Sequence, residues 1–245
     1  DEERNFLWSE KLKKAGVDVI FGVSGLKTHA KCCIVSRNEE VGTKYYATVS
    51  TGNYNAGTAR IYSDLSLFTA DDRICSDLRR LFSQIKEDRI SGGFESLIVS
   101  PKDMEKQILE LIEHEADSKG HIILKMNSLT DKTIINALYA ASQKGVKIEL
   151  CVRGICMLRP GVEGLSENIR VVSVVGRFLE HARVFYFEKT GRLYIGSPDM
   201  MPRNLHKRVE ILCPVYDADC RSEIERLLSI WLYDEVKGYS LDSAG

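Results

Sequence analysis

The 245-residue chain has no excess of charge of either sign: 34 basic residues face 35 acidic ones, for a formal net charge of -1. The whole-chain balance therefore gives no argument for nucleic acid or a membrane surface as partner, although a local cluster of cations can still build an anion site. No apolar run approaches the length of a membrane span, and the opening Asp1-Glu2-Glu3-Arg4 has none of the features of a signal peptide. The seven cysteines (Cys32, Cys33, Cys75, Cys151, Cys156, Cys213, Cys220) include no C-x-x-C pair, which removes the usual zinc spacing. Lying mostly inside apolar runs, they read as small buried hydrophobes in a reducing compartment. Compositional bias is absent too, with 44% apolar and 28% charged residues, so extensive disorder is not expected. Lacking an initiator Met and starting at the edge of a helix, the chain is expected to be a piece of a longer cytoplasmic protein, either free or at the membrane periphery.

What is present is an alternation of strand and helix patterns that repeats. A helix is expected over 4–15 with Gly16 as its stop, then a strand Val17–Val23, a loop at 24–28 and a strand His29–Val35. A turn near 38–43 returns the chain through Tyr45–Ser50, making a hairpin. A strand over about 61–68 and a helix over about 71–85 complete the first part. The polar stretch 86–94, containing Ser91-Gly92-Gly93, marks a junction. Ser100-Pro101-Lys102-Asp103 then predicts a helix start with Ser100 as N-cap and Pro101 in the first turn. Strand 121–126, helix 131–144 and strand 146–152 form a βαβ unit, so those strands should be parallel. From about 170 to 232 the order of the first part recurs. The expected fold is α/β, with two similar subdomains, 1–93 and 94–245, of mixed sheets flanked by helices.

Each copy contains a histidine followed two residues later by a cation, His29-Ala30-Lys31 and His181-Ala182-Arg183. On a strand, alternate side chains share a face, so histidine and cation should sit side by side where the copies meet. A neutral imidazole is a competent nucleophile toward phosphorus, and cations stabilise the equatorial oxygens of a transferring phosphoryl group. A lone histidine would most simply be structural; the pair occurring twice, in matching places, points to a site. The loops Thr51-Gly52-Asn53-Tyr54-Asn55 and Ile195-Gly196-Ser197-Pro198-Asp199 match glycine to glycine, and each could orient an imidazole or simply be a tight turn. His114, His121 and His206 have no partner motif and read as surface or packing residues.

The doubled H-x-cation pattern with its following loop resembles the phospholipase D superfamily. Nearly the whole chain is similar to the C-terminal half of that superfamily's polyphosphate kinases, through Gly25–Lys31, Thr51–Asn55, Thr58–Leu67, Lys125–Leu129, Val152–Cys156, Leu158–Gly161, Gly176–His181 and Met201–Leu205. The resemblance implies that two phospholipase-D-like subdomains enclose one site, in which His29 is phosphorylated and His181 contacts the nucleotide phosphates and helps to move protons. It also implies that Tyr62 and Arg153 hold ATP or ADP, that Arg208 contacts phosphate, and that Lys31 and Arg183 occupy the two cation positions. Phosphodiesterases of the superfamily carry an aspartate seven residues after each histidine; here those positions are Ser36 and Glu188, and the second motif has arginine for lysine, which favours the kinase branch. The implied Mg2+ ligands lie upstream of Asp1, so no metal ligand is expected within the chain. The implied partners are inorganic polyphosphate and further copies of the full-length protein. A phosphodiesterase or nuclease using the same histidines, or a non-catalytic polyphosphate-binding fragment, are the alternative readings.

Overall fold

The computed structural model describes residues 2–244. Its main feature is an eight-stranded mixed sheet ordered Gly238–Leu241, Ile169–Val174, Lys147–Val152, His121–Met126, Val184–Phe187, Arg192–Gly196, Ile211–Pro214 and Ile98–Val99. Lys147–Val152 runs parallel to both of its neighbours, as the βαβ pattern requires; the remaining pairings are antiparallel. Alternation decides which side chain faces which layer. Ile122, Leu124 and Met126 pack with the helices Met104–Asp117 and Lys132–Gln143, whereas Ile123 and Lys125 face the helix Ala218–Leu232 on the other side.

The first part of the chain forms a three-stranded antiparallel sheet, Cys32–Glu39, Gly42–Ser50 and Ser66–Thr69, covered on one face by the helix Asp72–Lys86. Asp71 caps that helix by accepting the N–H of Arg73 at 2.9 Å and of Ile74 at 3.4 Å. Leu78 and Leu81 of the helix share one core with Val49 of the small sheet, with Val99 and Ile211 near one edge of the large one, and with Val209 just before it. The polar junction after the helix is pinned rather than loose. One carboxylate oxygen of buried Asp77 accepts the N–H groups of Glu95, Ser96 and Leu97 at 3.0, 2.7 and 2.9 Å, and Gln84 bonds Gly92 and Ser91.

Several expected elements differ. Val17–Val23 is irregular chain with Val17, Ile20 and Phe21 exposed, because among the described residues no strand lies beside it to complete a ladder. The expected strand 61–68 is split into Tyr62–Ser63 and Ser66–Thr69, and the break presents Asp64. Ser100 does not cap a helix: its hydroxyl donates to the Arg208 carbonyl at 2.8 Å and accepts the Glu210 N–H at 3.0 Å, and the helix begins at Met104. Among the described residues no helix is long and apolar enough to cross a membrane.

Candidate active site

The two parts of the chain meet through two short parallel pairings, Lys27–Thr28 with Arg208–Val209 and Tyr62–Ser63 with Leu179–Glu180. Each pairing ends at a histidine. The N–H groups of His29 and Ala30 both reach the Val209 carbonyl, at 2.9 and 3.0 Å; those of His181 and Ala182 both reach the Ser63 carbonyl, at 3.1 and 3.0 Å. Beyond the cation the chain changes partner, with the Lys31 carbonyl accepting from Ser50 and the Arg183 carbonyl from Gly196. This change of partner is why the hairpin strands start at Cys32 and Val184, three residues after the histidines and not on them as expected.

The residue following each bridging carbonyl is an acid, and each acid binds the other half's histidine. Glu210 Oε2 lies 2.8 Å from His29 Nδ1, and Asp64 Oδ1 lies 2.9 Å from His181 Nδ1. A carboxylate can only accept, so both rings donate through Nδ1 and carry their lone pair on Nε2. Neither acid was singled out from the sequence. The available signal was a carboxylate two residues after the matched positions Tyr62 and Arg208, once in each copy.

The loops after the hairpins correspond two residues away from the glycine-to-glycine match. Thr51 Oγ1 accepts the Leu65 N–H and donates to Asp64; Ser197 Oγ accepts the Ile211 N–H. Thr51 therefore matches Ser197, and Asn53 matches Asp199. Asn53 and Tyr54 are exposed, and Asn55 accepts from Gly57 and Thr58 as a turn former, so the first loop serves the site through Thr51 alone among its polar side chains. Gly52 is required for its packing: a Cβ there would overlap the Asp64 carboxylate.

Lys31 and Arg183 are both buried, and both turn back on their own histidine. The Lys31 ammonium donates to the His29 carbonyl, and Arg183 Nη1 donates to the His181 carbonyl at 2.9 Å. Here the halves diverge. Arg183 Nη1 also lies 2.9 Å from His181 Nε2, and its other arm meets Asp199 at 3.2 Å. His29 Nε2 has no hydrogen-bond partner among the described residues. Burial lowers the His29 imidazole below 6.5, with Lys31 and Arg208 pushing the same way against Glu210. Burial, opposed by Glu210 and reinforced by Arg183 and Arg208, brings Lys31 down to about 8. Asp64 is held below the ordinary carboxylate range although burial pushes it up, because His181 and Thr51 donate to it.

The other expected site residues gather around this centre. The Tyr62 ring packs against His181 with centroids 4.9 Å apart. Arg208 Nη1 is 3.8 Å from Glu210, whose same oxygen accepts from Asn204 at 2.5 Å. Arg153 donates through Nε to Asn127 at 3.0 Å, and among the described residues its two Nη groups have no hydrogen-bond partner. Asn127 is tied in turn to Asp199 and to the His181 carbonyl. Lys125, fully buried behind the second motif, donates to the Ala182 carbonyl at 3.1 Å and sits 4.5 Å from the Trp231 ring centre. Among the other histidines, His121 lies 2.9 Å from Glu149, His206 lies 3.9 Å from Glu105 and His114 is exposed.

The described residues do not fit Mg2+, which takes oxygen ligands in octahedral geometry. Asp64, Glu210 and Asp199 are occupied by histidine, arginine and amide partners. The one cluster within ligating reach, Glu105, Asp131 and His206, includes an imidazole and the N-cap of a helix.

Two family models match: "Polyphosphate kinase C-terminal domain 1" over residues 1–91 and "Polyphosphate kinase C-terminal domain 2" over 97–245. The polyphosphate kinase of Synechocystis sp. is 47% identical across 100% of this chain, and that of Helicobacter pylori strain J99 is 46% identical, also across 100%. The chain spans 35% and 37% of those relatives' lengths. The crystal structure of polyphosphate kinase from Porphyromonas gingivalis superposes with a TM-score of 0.90 at 41% identity, covering 96% of this chain and 38% of that one. With the second model alone spanning more than half of its residues, this chain belongs to the polyphosphate kinase family.

Proposed function

We propose that this chain is the catalytic C-terminal part of a polyphosphate kinase, which moves the γ-phosphate of ATP reversibly to the end of inorganic polyphosphate through a phosphohistidine at His29. The observation that carries the reading is His29 itself: Nδ1 is bound to Glu210, Nε2 is uncommitted, and Lys31 and Arg208 lie beside it. In the first step Nε2 attacks the γ-phosphorus, a nitrogen–phosphorus bond forms, and the bond to the β–γ bridging oxygen breaks with its electron pair leaving on ADP. Glu210 holds the ring in the attacking tautomer and stabilises the charge that develops on it. Lys31 and Arg208 neutralise the equatorial oxygens. In the second step a terminal oxygen of polyphosphate attacks the phosphohistidine, and the nitrogen–phosphorus bond breaks back to neutral imidazole.

Tyr62, packed at a tilt against His181, offers its ring to adenine, and the free Nη groups of Arg153 meet phosphate. No step is assigned to Mg2+, whose ligands are expected outside this chain. The reading divides the chain into phospholipase-D-like subdomains 1–93 and 94–245, supported by the backbone symmetry around the two histidines and by the family models that match on either side of that point. It includes a cytoplasmic, homo-oligomeric full-length protein that takes no nucleic acid, in keeping with seven unpaired cysteines and a net charge of -1.

The test is to incubate the full-length parent with ATP labelled in the γ position and map the phosphopeptide under alkaline conditions. Acid-labile, base-stable label on the His29 peptide is expected. Hydrolysis of a phosphodiester with no such label from ATP would replace the kinase reading with a phosphodiesterase.

A further inference from the structure

The two motifs differ in one feature that the phosphohistidine reading does not use: what the cation does to its histidine. Both cations bond the carbonyl of the histidine two residues before them. Only Arg183 has a second reach, and it places Nη1 2.9 Å from His181 Nε2. Since His181 donates Nδ1–H to Asp64, its Nε2 is an acceptor, and a guanidinium can only donate. The lone pair that would attack phosphorus is therefore engaged in a charge-assisted hydrogen bond. Arg183 cannot easily turn away. It is buried, Asp199 holds Nη2 at 3.2 Å, and the two hydrogens of Nη1 serve the His181 carbonyl and Nε2, both at 2.9 Å, with the Thr51 carbonyl at 3.3 Å sharing one of them across the junction of the two halves. Its buried Nε has no hydrogen-bond partner, so the guanidinium keeps this pose at the expense of one unsatisfied donor.

We infer that Arg183 is the residue that makes the site one-sided: by occupying His181 Nε2 it restricts nucleophilic attack on phosphorus to His29. The inference rests on the phosphohistidine reading above. Lysine at position 183 could take the carbonyl bond, as Lys31 does, but has no second arm for the ring. His181 would then match His29 in its two determinants, an acid on Nδ1 and a free Nε2. Its attack on the γ-phosphorus balances in the same way, with the new nitrogen–phosphorus bond formed from the Nε2 lone pair and ADP departing with the bridging oxygen.

The experiment compares the full-length parent with Arg183→Lys, with His29→Gln and with the double variant, through two readouts. The first is γ-labelled ATP followed by phosphopeptide mapping. The second, which needs no turnover, is the rate at which diethyl pyrocarbonate modifies each imidazole, since that reagent also requires a free lone pair. Wild type should label and carbethoxylate at His29, with His181 protected. Arg183→Lys should raise carbethoxylation of His181 at least about tenfold, and the double variant should carry label on the His181 peptide. Asp199→Asn, which loosens the anchor and leaves Arg183 in place, should give an intermediate rise in carbethoxylation and guards against a misfolded Arg183 variant. Unchanged carbethoxylation of His181 in both variants overturns the inference, and so does a double variant that binds ATP yet leaves an accessible His181 unlabelled. If wild type takes no label at either histidine, the phosphohistidine reading fails, while the carbethoxylation contrast still decides whether Arg183 shields the ring.

Discussion

Glu210 accepts the Nδ1 proton of His29 from a position 181 residues further along the chain, 2.8 Å away and fully buried. The contact depends on the strand pairing Lys27–Thr28 with Arg208–Val209, which brings the two residues beside each other. Glu210→Gln keeps the shape and removes the charge that favours the developing imidazolium. In the full-length parent it should slow phosphorylation of His29 by about 10–100-fold, measured by rapid-quench labelling at saturating ATP. A rate equal to wild type would remove Glu210 from the mechanism.

Labelling should depend on pH through two groups with opposite requirements. On the phosphohistidine reading His29 attacks as the neutral ring, and its pKa is lowered from 6.5; Lys31 holds phosphate as the charged ammonium, and its pKa is lowered to about 8. The rate should therefore rise on an acid limb below 6.5 and fall on an alkaline limb near 8. Lys31→Arg should carry the alkaline limb to higher pH and leave the acid limb nearly unmoved. In stability the Lys31 sign is the reverse of a favourable ion pair. Below about 8 both folded and unfolded chains hold the proton and the cost of burying it is fully present. Between about 8 and 10.5 the unfolded chain binds the proton more, so this contribution to stability rises with pH. A Lys31→Met variant should lose that slope in urea titrations taken across the window.

Gly52→Ala and Gly196→Ala separate function from stability. A Cβ at Gly196 would collide with the Ile211 backbone carbonyl, which cannot swing aside; one at Gly52 would meet the end of the Asp64 side chain. Urea unfolding should show Gly196→Ala costing about 3 kcal/mol and Gly52→Ala about 1 kcal/mol. Gly52→Ala should nevertheless lose most of its activity, because it displaces the acid that orients His181. Equal losses of stability, with activity retained in Gly52→Ala, would contradict this account.

Asp77 anchors three consecutive N–H groups of the junction through one oxygen. Asp77→Ala would orphan all of them and should destabilise the protein by about 3–4 kcal/mol. Limited trypsinolysis should then cut faster at Lys86 and Arg89, the basic residues that open the released stretch. An unaltered cleavage rate would mean that other contacts hold the junction.

The sequence was most readable where chemistry repeats. His29 with Lys31 and His181 with Arg183 stand out because a strong residue pair occurs twice at matching points of a doubled pattern, and the hairpins and the βαβ unit follow from period and turn residues. Asp64 and Glu210 were opaque because a carboxylate near a strand end is ordinary, and only the fold brings each beside a ring from the other copy. Ser100 departs from its local signal for a related reason: serine before proline predicts a helix start, but its hydroxyl is taken by Arg208 and Glu210, more than 100 residues away in sequence. The stretch Val17–Val23 has the residues of a strand without a strand beside it, and residue preference alone cannot supply a backbone partner.

The reciprocal loan of acids makes each half's histidine dependent on the other half. A hinge motion that parted Tyr62–Ser63 from Leu179–Glu180, or Lys27–Thr28 from Arg208–Val209, would strip an imidazole of its orienting carboxylate in the same movement. On the proposed reading, parting the halves at Lys27–Thr28 and removing the acid that orients the nucleophile are thus one event. A phosphoryl group on His29 would likewise depend on Glu210 and Arg208, whose charges come from the opposite half, so neither half holds a complete site by itself.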